Sequence, residues 1–313
     1  MMKKTLLAAA ATIALTAPTL ADGVQINQLH RYTSGHTAWN TNSFWIEGDD
    51  GVAVIDAQLL ASDARRLATQ IKATGKRIAG VIVTHPHSDH FGGLAALKDE
   101  FGDFPIYATQ GTADHFEGTH KQMLASYQMP NAFAEPLDER LVMPTNIVSG
   151  GDTIAIAGIS FNIHDLGAGE AANNLVAYQP DLNVVFAGDT FYPFAHYYIG
   201  EGHIDGALEH LAFLKATFPA DTYVMAGHTD PNRIASADPQ IGYIKRFIEV
   251  VKEARAAEGA LDANGRLTRE ARGAAVTKLM ADYAHYDDFS FGSQTILTWN
   301  SFGVEAWLMA QKD

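Results

Sequence analysis

A histidine-rich run follows directly on a short apolar stretch, residues 78–83. The run reads Thr84-His85-Pro86-His87-Ser88-Asp89-His90. The apolar stretch before it is typical of a buried β-strand. His85 and His87 are two residues apart, so on an extended segment their side chains project to the same side. Imidazole and carboxylate groups bind divalent metals, and the pattern therefore predicts a metal site at a strand end rather than a polar loop rich in histidine by chance.

Two further donors follow apolar strands later in the chain. The stretch 184–188 ends in a glycine and is followed by Asp189. The stretch 223–227 has the same form and is followed by His228. Either one alone is weak evidence, but each places a metal-binding side chain just beyond a buried strand, as the histidine run does.

Strand and helix patterns interleave along the chain, which favours a single α/β domain spanning residues 22–313. From about residue 235 the pattern becomes mainly helical, and we expect a helical C-terminal extension there.

Residues 1–21 have the features of a secretory signal peptide. Lys3 and Lys4 precede an apolar run, and small residues lead to a cleavage site between Ala21 and Asp22. The apolar run is shorter than the roughly 20 residues that span a bilayer, which argues against a retained membrane anchor. We therefore expect an exported protein, periplasmic or secreted.

Composition limits the partners and the ligand chemistry. The 313 residues include 22 Lys and Arg against 36 Asp and Glu, a formal net charge of −14. Such an acidic chain is a poor candidate for nucleic-acid binding, and we expect a small-molecule substrate instead. The chain contains no cysteine, which rules out disulfides and thiolate ligands and leaves a nitrogen and oxygen metal site.

Taken together, these motifs resemble those of the metallo-β-lactamase superfamily. The matching segments are His85-x-His87-x-Asp89-His90, Gly188-Asp189 and Gly227-His228-Thr229, and the resemblance runs from about residue 44 to 228. It implies a four-layer αββα sandwich with two divalent metal ions at one edge. It also implies ligand roles: His85 and His87 for the first metal, Asp89, His90 and His228 for the second, and Asp189 between them.

One position departs from the superfamily pattern. Members usually supply a third histidine to the first metal nineteen residues before the bridging aspartate, and this chain has Glu170 there. His164, inside the preceding predicted strand, is the competing candidate, and a solvated loop carboxylate is the third interpretation of Glu170. Zinc is the default metal for such a donor set, while a carboxylate ligand favours manganese or iron at the Glu170 site.

The resemblance predicts a metal-dependent hydrolase in which a metal-bound hydroxide attacks the substrate and Asp89 orients the water and moves its proton. Lactones and carboxylic esters are the first choice of substrate, sulfate esters and phosphoesters follow, and β-lactams are less favoured because of Glu170. Tyr192, His196 and His285 are candidates for the substrate pocket. The alternatives are an iron-dependent oxidoreductase handling oxygen or sulfur species and a non-catalytic metal-binding protein.

Overall fold

The computed structural model describes residues 29–126, 133, 135–289 and 291–311. The predicted signal peptide, residues 1–21, lies outside the described residues. Among the described helices, none combines the length and the apolar character that crossing a bilayer requires.

The first sheet has six strands that are adjacent in chain order. They are β1 (Leu29–Thr33), β2 (Asn42–Glu47), β3 (Val52–Ile55), β4 (Ile78–Ile82), β5 (Ile106–Thr109) and β6 (Asn146–Val148). Strands β1 to β3 are antiparallel, whereas β3 to β6 run parallel to one another. The helices between these strands are α1 (Ala61–Ala73), α2 (Ser88–Phe91), α3 (Leu94–Phe101) and α4 (Gln110–Ser126).

The second sheet also has six strands, and again chain order is spatial order. They are β7 (Thr153–Ile156), β8 (Ile159–Gly167), β9 (Asn174–Gln179), β10 (Val184–Gly188), β11 (Tyr223–Ala226) and β12 (Asn232–Arg233). Strands β10 and β11 are parallel, and the other neighbours are antiparallel. The remaining helices are α5 (Ile204–Thr217), α6 (Ala237–Ala256), α7 (Arg269–Asp282) and α8 (Ser293–Ala310).

The two sheets pack face to face, and helices cover both outer faces. Phe44 and Ile82 of the first sheet meet Phe161 and Phe186 of the second in the central layer of the core. Strands β3 and β10 are buried along their whole length, as expected for strands covered on both faces. The predicted αββα sandwich is confirmed.

The ends of three strands meet at one edge of this sandwich. Strand β4 leads to His85, while the parallel strands β10 and β11 lead to Asp189 and His228. The sheets are tied together at this edge, because the Leu175 N–H donates to the Thr84 carbonyl at 2.7 Å. Donors that are more than 140 positions apart in the chain therefore share one small volume.

Candidate metal centre

Four side chains form the first donor group: His85, His87, Glu170 and Asp189, with one potential ligand atom from each within 4.8 Å of the others. Glu170 Oε2 lies 3.4 Å from His87 Nδ1 and 3.8 Å from His85 Nε2. His85 Nε2 is also 3.6 Å from Asp189 Oδ2. Three of the four side chains are buried, and His87 is partly exposed.

Asp89, His90 and His228 form the second donor group. Asp89 Oδ2 lies 3.2 Å from both His90 Nε2 and His228 Nε2. Asp189 contacts this group too, with Oδ1 at 3.3 Å from His90 Nε2 and Oδ2 at 3.0 Å from His228 Nε2. One carboxylate therefore touches both groups.

Several atoms that face the centre are buried without a hydrogen-bond partner among the described residues. They are His85 Nε2, His90 Nε2, Glu170 Oε2 and Asp189 Oδ1. Burying such polar atoms without a partner costs free energy, and native proteins rarely tolerate it in a cluster. Their nitrogen and oxygen types fit two divalent cations, which would supply the missing partners.

Two glycines allow the donors to approach one another. Gly188 has φ of 49°, and a Cβ there would overlap the Thr84 side chain. A Cβ on Gly227 would overlap Asp189 Oδ1. The Gly-Asp and Gly-His pairs at the ends of β10 and β11 are therefore steric requirements of the site.

The second donor group is oriented by hydrogen bonds behind its rings. Asp56 Oδ2 lies 2.8 Å from His90 Nδ1, and the Trp39 carbonyl lies 2.8 Å from His228 Nδ1. These acceptors fix the N–H on Nδ1, so Nε2 of each ring is left to face the centre. Thr41 Oγ1 donates to Asp89 Oδ2 at 3.0 Å and holds that carboxylate in place.

Asp56 also supports the first donor group. Its Oδ2 accepts from Thr84 Oγ1 at 2.8 Å, and Thr84 Oγ1 lies 2.9 Å from His85 Nδ1. Asp56 has φ of 60°, an uncommon conformation for a residue other than glycine and one that clusters at functional sites. Our sequence analysis missed this residue, although it follows a buried strand as the other donors do.

Glu201 is the second residue that sequence reasoning missed. His87 Nε2 lies 2.9 Å from Glu201 Oε1, which leaves Nδ1 to face Glu170. No local pattern marks Glu201, because it reaches His87 from a loop 114 positions away. Its contact is tertiary.

Glu170 is carried by the loop between β8 and β9, which packs tightly on α5. A Cβ on Gly206 would overlap the Ala168 carbonyl, and one on Gly169 would overlap the His210 ring. His210 Nε2 lies 2.8 Å from the Leu166 carbonyl near the end of β8. His164 instead packs against Phe213 and Phe218 and belongs to neither donor group.

The carboxylates dominate the electrostatics of the centre. Burial lowers the pKa of His90, but Asp189, Asp89 and Asp56 outweigh it and raise the pKa well above its usual value. Burial likewise lowers the pKa of His87, but Glu170 and Glu201 raise it to about 9. Burial holds the pKa of Glu170 well above its ordinary range, although His87 partly offsets this. Without cations, this cluster binds protons in their place.

A cavity of about 500 Å³ opens onto the donor groups. Tyr192 lines it, with its O–H donating to Asp189 Oδ2 at 2.5 Å and its ring stacked on His228. His196 and His285 do not line it. His196 is buried against Tyr243 and Tyr286, and His285 is exposed to solvent.

The family profile of the metallo-beta-lactamase superfamily matches residues 36–228. The chain belongs to this superfamily. The matched residues include both donor groups and end at His228, so α6, α7 and α8 lie beyond them.

About a quarter of the aligned residues are identical between the chain and its named relatives. It is 27% identical over 195 residues to a hydroxyacylglutathione hydrolase from Xanthomonas campestris pv. campestris, which covers 61% of this chain and 62% of that protein. It is also 27% identical over 180 residues to a linear primary-alkylsulfatase from a Pseudomonas species, covering 48% of this chain and 26% of the relative. The chain thus spans less than two thirds of the length of either.

A solved structure extends the likeness of fold to nearly the whole chain. A beta-lactamase domain protein from Burkholderia ambifaria aligns with a TM-score of 0.65 at 16% identity, covering 95% of this chain and 91% of the other.

Proposed function

We propose that this protein is an exported two-metal hydrolase that cleaves an ester-like bond in a small molecule. The observation that carries the proposal is the meeting of the two donor groups at Asp189, beneath an open cavity. His85, His87 and Glu170 would hold one cation and Asp89, His90 and His228 the other, with Asp189 shared. Two cations so held would lower the pKa of a water molecule and stabilise negative charge that develops on the substrate.

Asp89 is the residue we propose for orienting the attacking water and accepting its proton. It lines the cavity, and its Oδ2 is held by Thr41. Burial raises the pKa of this carboxyl, but His90 and His228 outweigh burial and hold the pKa well below its usual value. An ionised carboxylate at the cavity floor can accept a hydrogen bond from water.

Tyr192 carries a hydrogen-bond donor at the cavity wall. Burial, together with Asp189, raises the pKa of its hydroxyl well above the usual value, so the group stays protonated. We propose that this O–H, now directed at Asp189, donates to the substrate oxygen that gains negative charge.

Carboxylic esters and lactones are the substrates we propose first. The relatives named for hydroxyacylglutathione and for primary alkyl sulfates both cleave ester-like bonds. Sulfate esters and phosphoesters follow as the second choice, although Glu170 adds a negative charge that a histidine at that position would not. β-Lactams remain less favoured for the same departure from the usual ligand set.

Zinc is the metal we propose for both positions, because the donor set has four histidines and three carboxylates. Glu170 is a harder donor than imidazole, so manganese or iron would compete best at the position it serves. Iron bound there would favour the alternative of an oxidoreductase.

The test is a substrate panel run on protein whose metal content has been measured. Protein purified without added metal is assayed with lactones, aryl esters, thioesters, alkyl sulfates, phosphodiesters and a cephalosporin. We expect two zinc ions per chain and ester or lactone hydrolysis that is lost on chelation and in Asp89→Asn. Stoichiometric iron with oxygen uptake and no hydrolysis would overturn the proposal, and so would full ester turnover by Asp89→Asn.

Export is proposed on residues 1–21 alone. We expect the full chain, expressed in a Gram-negative host, to be recovered from the periplasm or medium with Asp22 as its first residue. Recovery in the cytoplasm with Met1 intact would contradict the proposal.

A further inference from the structure

One aromatic wall of the cavity is formed by a part of the chain outside the family match. Ile296, Trp299 and Phe302 of α8 line it, together with Phe289 and Phe291 from the segment before that helix. The family match ends at residue 228. The donor groups thus lie within the family match, whereas this aromatic wall of the cavity lies beyond it.

This wall is a continuous aromatic surface. The Phe291 ring lies 4.9 Å from Trp39 on one side and 5.1 Å from Trp299 on the other. Trp299 and Phe302 remain 38% and 48% exposed at the mouth, so a bound group would cover apolar surface that now faces solvent. A cavity of about 500 Å³ with such walls fits an aromatic or compact aliphatic group.

The charges of the cavity are of one sign. Four carboxylates line it, from Asp89, Glu170, Asp189 and Glu201, and no lysine or arginine does in the part of the chain that the structure describes. The Arg272 guanidinium packs on the Phe302 ring, but it pairs with Glu305 and does not line the cavity. Two divalent cations would only balance the four carboxylates, leaving no excess positive charge for an anion.

Glu201 is the carboxylate placed to act on a substrate. The other three belong to the donor groups, whereas Glu201 lies outside them and is partly exposed at 32%. It contacts the rings of His87 and His203 rather than a permanent cation. Its negative charge therefore extends into the cavity beyond the metal positions.

We infer that the cavity is a binding subsite for an apolar, aromatic-sized part of the substrate without negative charge, and that Glu201 is the specificity residue that rejects anions. The inference rests on the proposed function for the bond that is cleaved, but binding at the subsite can be measured without cleavage. It also separates this chain from its relatives: glutathione conjugates and alkyl sulfates carry negative charge, and this subsite would disfavour them.

The experiment measures binding of three compounds of nearly equal shape to the metal-loaded protein by calorimetry. The probes are tert-butylbenzene, phenyltrimethylammonium and benzenesulfonate, which are neutral, cationic and anionic. We expect benzenesulfonate to bind about tenfold more weakly than tert-butylbenzene, since a charge a few ångströms from a partly exposed carboxylate feels an interaction of this size. Phenyltrimethylammonium should bind at least as tightly as the neutral probe.

Variants test which residues cause the difference in affinity between the anionic and neutral probes. Glu201→Gln, loaded to the same metal content as the unaltered protein, should narrow the gap between the affinities of the anionic and neutral probes several-fold and change the affinity for the neutral probe less than twofold. Glu209→Gln, which removes an exposed carboxylate of α5 that does not line the cavity, should leave the gap as it is. Trp299→Ala should weaken all three probes.

Equal or tighter binding of benzenesulfonate by the unaltered protein would overturn the inference, as would an unchanged gap in Glu201→Gln with full metal content. Failure of the proposed function is distinguishable: the probes would then bind in the expected order while no ester in the panel is cleaved. Ester cleavage together with equal binding of the three probes would contradict the subsite inference and leave the proposed hydrolase function intact.

Discussion

The two donor groups differ in how their ligands are held. In the second group every side chain has an anchoring hydrogen bond from within the first 60 residues, through Thr41, Trp39 and Asp56. In the first group His87 relies on Glu201, and Glu170 on the packing of its loop against α5.

Formal charge, in contrast, does not distinguish the two groups. Both groups contain two histidines and one carboxylate of their own and share Asp189, so each site carries the same formal charge. A histidine at position 170 would have made the first site the more positive one. The second group is thus a rigid frame, and the first is where this chain departs from its superfamily.

Asp189→Asn should have the largest effect, because it weakens both groups at once. We expect loss of both metal ions and a fall in kcat/KM of at least about 10³-fold. Metal analysis and ester hydrolysis measure it. Retention of either metal at full occupancy would mean that the two groups do not depend on Asp189 equally.

Glu170→Gln should separate the two groups. We expect one metal ion to be lost and the other retained, with activity reduced about 100-fold, because only the first group loses a charged ligand. Glu170→His should keep two ions and raise the preference for zinc over manganese in competition. The matched control is His164→Gln, which alters the alternative candidate and should change neither metal content nor activity.

Asp56→Asn tests the layer behind both groups. The amide can still accept from Thr84, but it loses the charge that orients His90, and changes of this kind typically cost 10–100-fold in metal affinity. Metal titration should show a roughly tenfold or larger loss at the second site and a smaller one at the first. Equal losses at both sites would mean that the link through Thr84 matters as much as the direct contact.

The stability of the metal-free protein should fall as pH rises. Neighbouring carboxylates raise the pKa of His87 from 6.5 to about 9 and that of His228 to about 10, despite burial, which lowers both. A group whose pKa is raised by folding stabilises the folded state fully when the pH is below the pKa that the group has in the unfolded chain. This stabilisation is lost as the pH rises through the pKa that the group has in the folded protein.

The window is therefore pH 6.5 to 10. Between these values the midpoint of thermal unfolding of the metal-free protein should drop by about 5 °C or more. The metal-loaded protein should change less, because coordination already deprotonates these rings. A metal-free protein that is equally stable at both ends would contradict the carboxylate–histidine coupling described above.

Local patterns predicted an α/β domain and most of the candidate site residues, whereas the four-layer sandwich followed from the resemblance to the superfamily. Each donor at a strand end follows an apolar stretch that can be recognised without tertiary information, which is why Asp189 and His228 could be named beside the histidine run. Their roles as ligands stay a prediction. Asp56 follows β3 in the same way and was recognisable by the same rule, but it belongs to neither donor group and contacts His90 from behind its ring.

Tertiary contacts limited the rest. Glu201 and the aromatic residues of α8 reach the cavity from distant parts of the chain, so no local sequence pattern predicts their position there. His196 was expected at the pocket because it follows Asp189 closely in the sequence. The structure instead buries the His196 ring against Tyr243 and Tyr286. His285 was expected at the pocket because of its aromatic neighbours in the sequence, but it is exposed to solvent.

The most direct test is a crystal structure of the protein loaded with zinc, with anomalous diffraction recorded on both sides of the zinc absorption edge. The account predicts two anomalous peaks that share Asp189, one of them about 2.0–2.2 Å from a Glu170 oxygen and from the nearest nitrogens of His85 and His87. A single peak, or two peaks with the Glu170 carboxylate turned away from both, would contradict it.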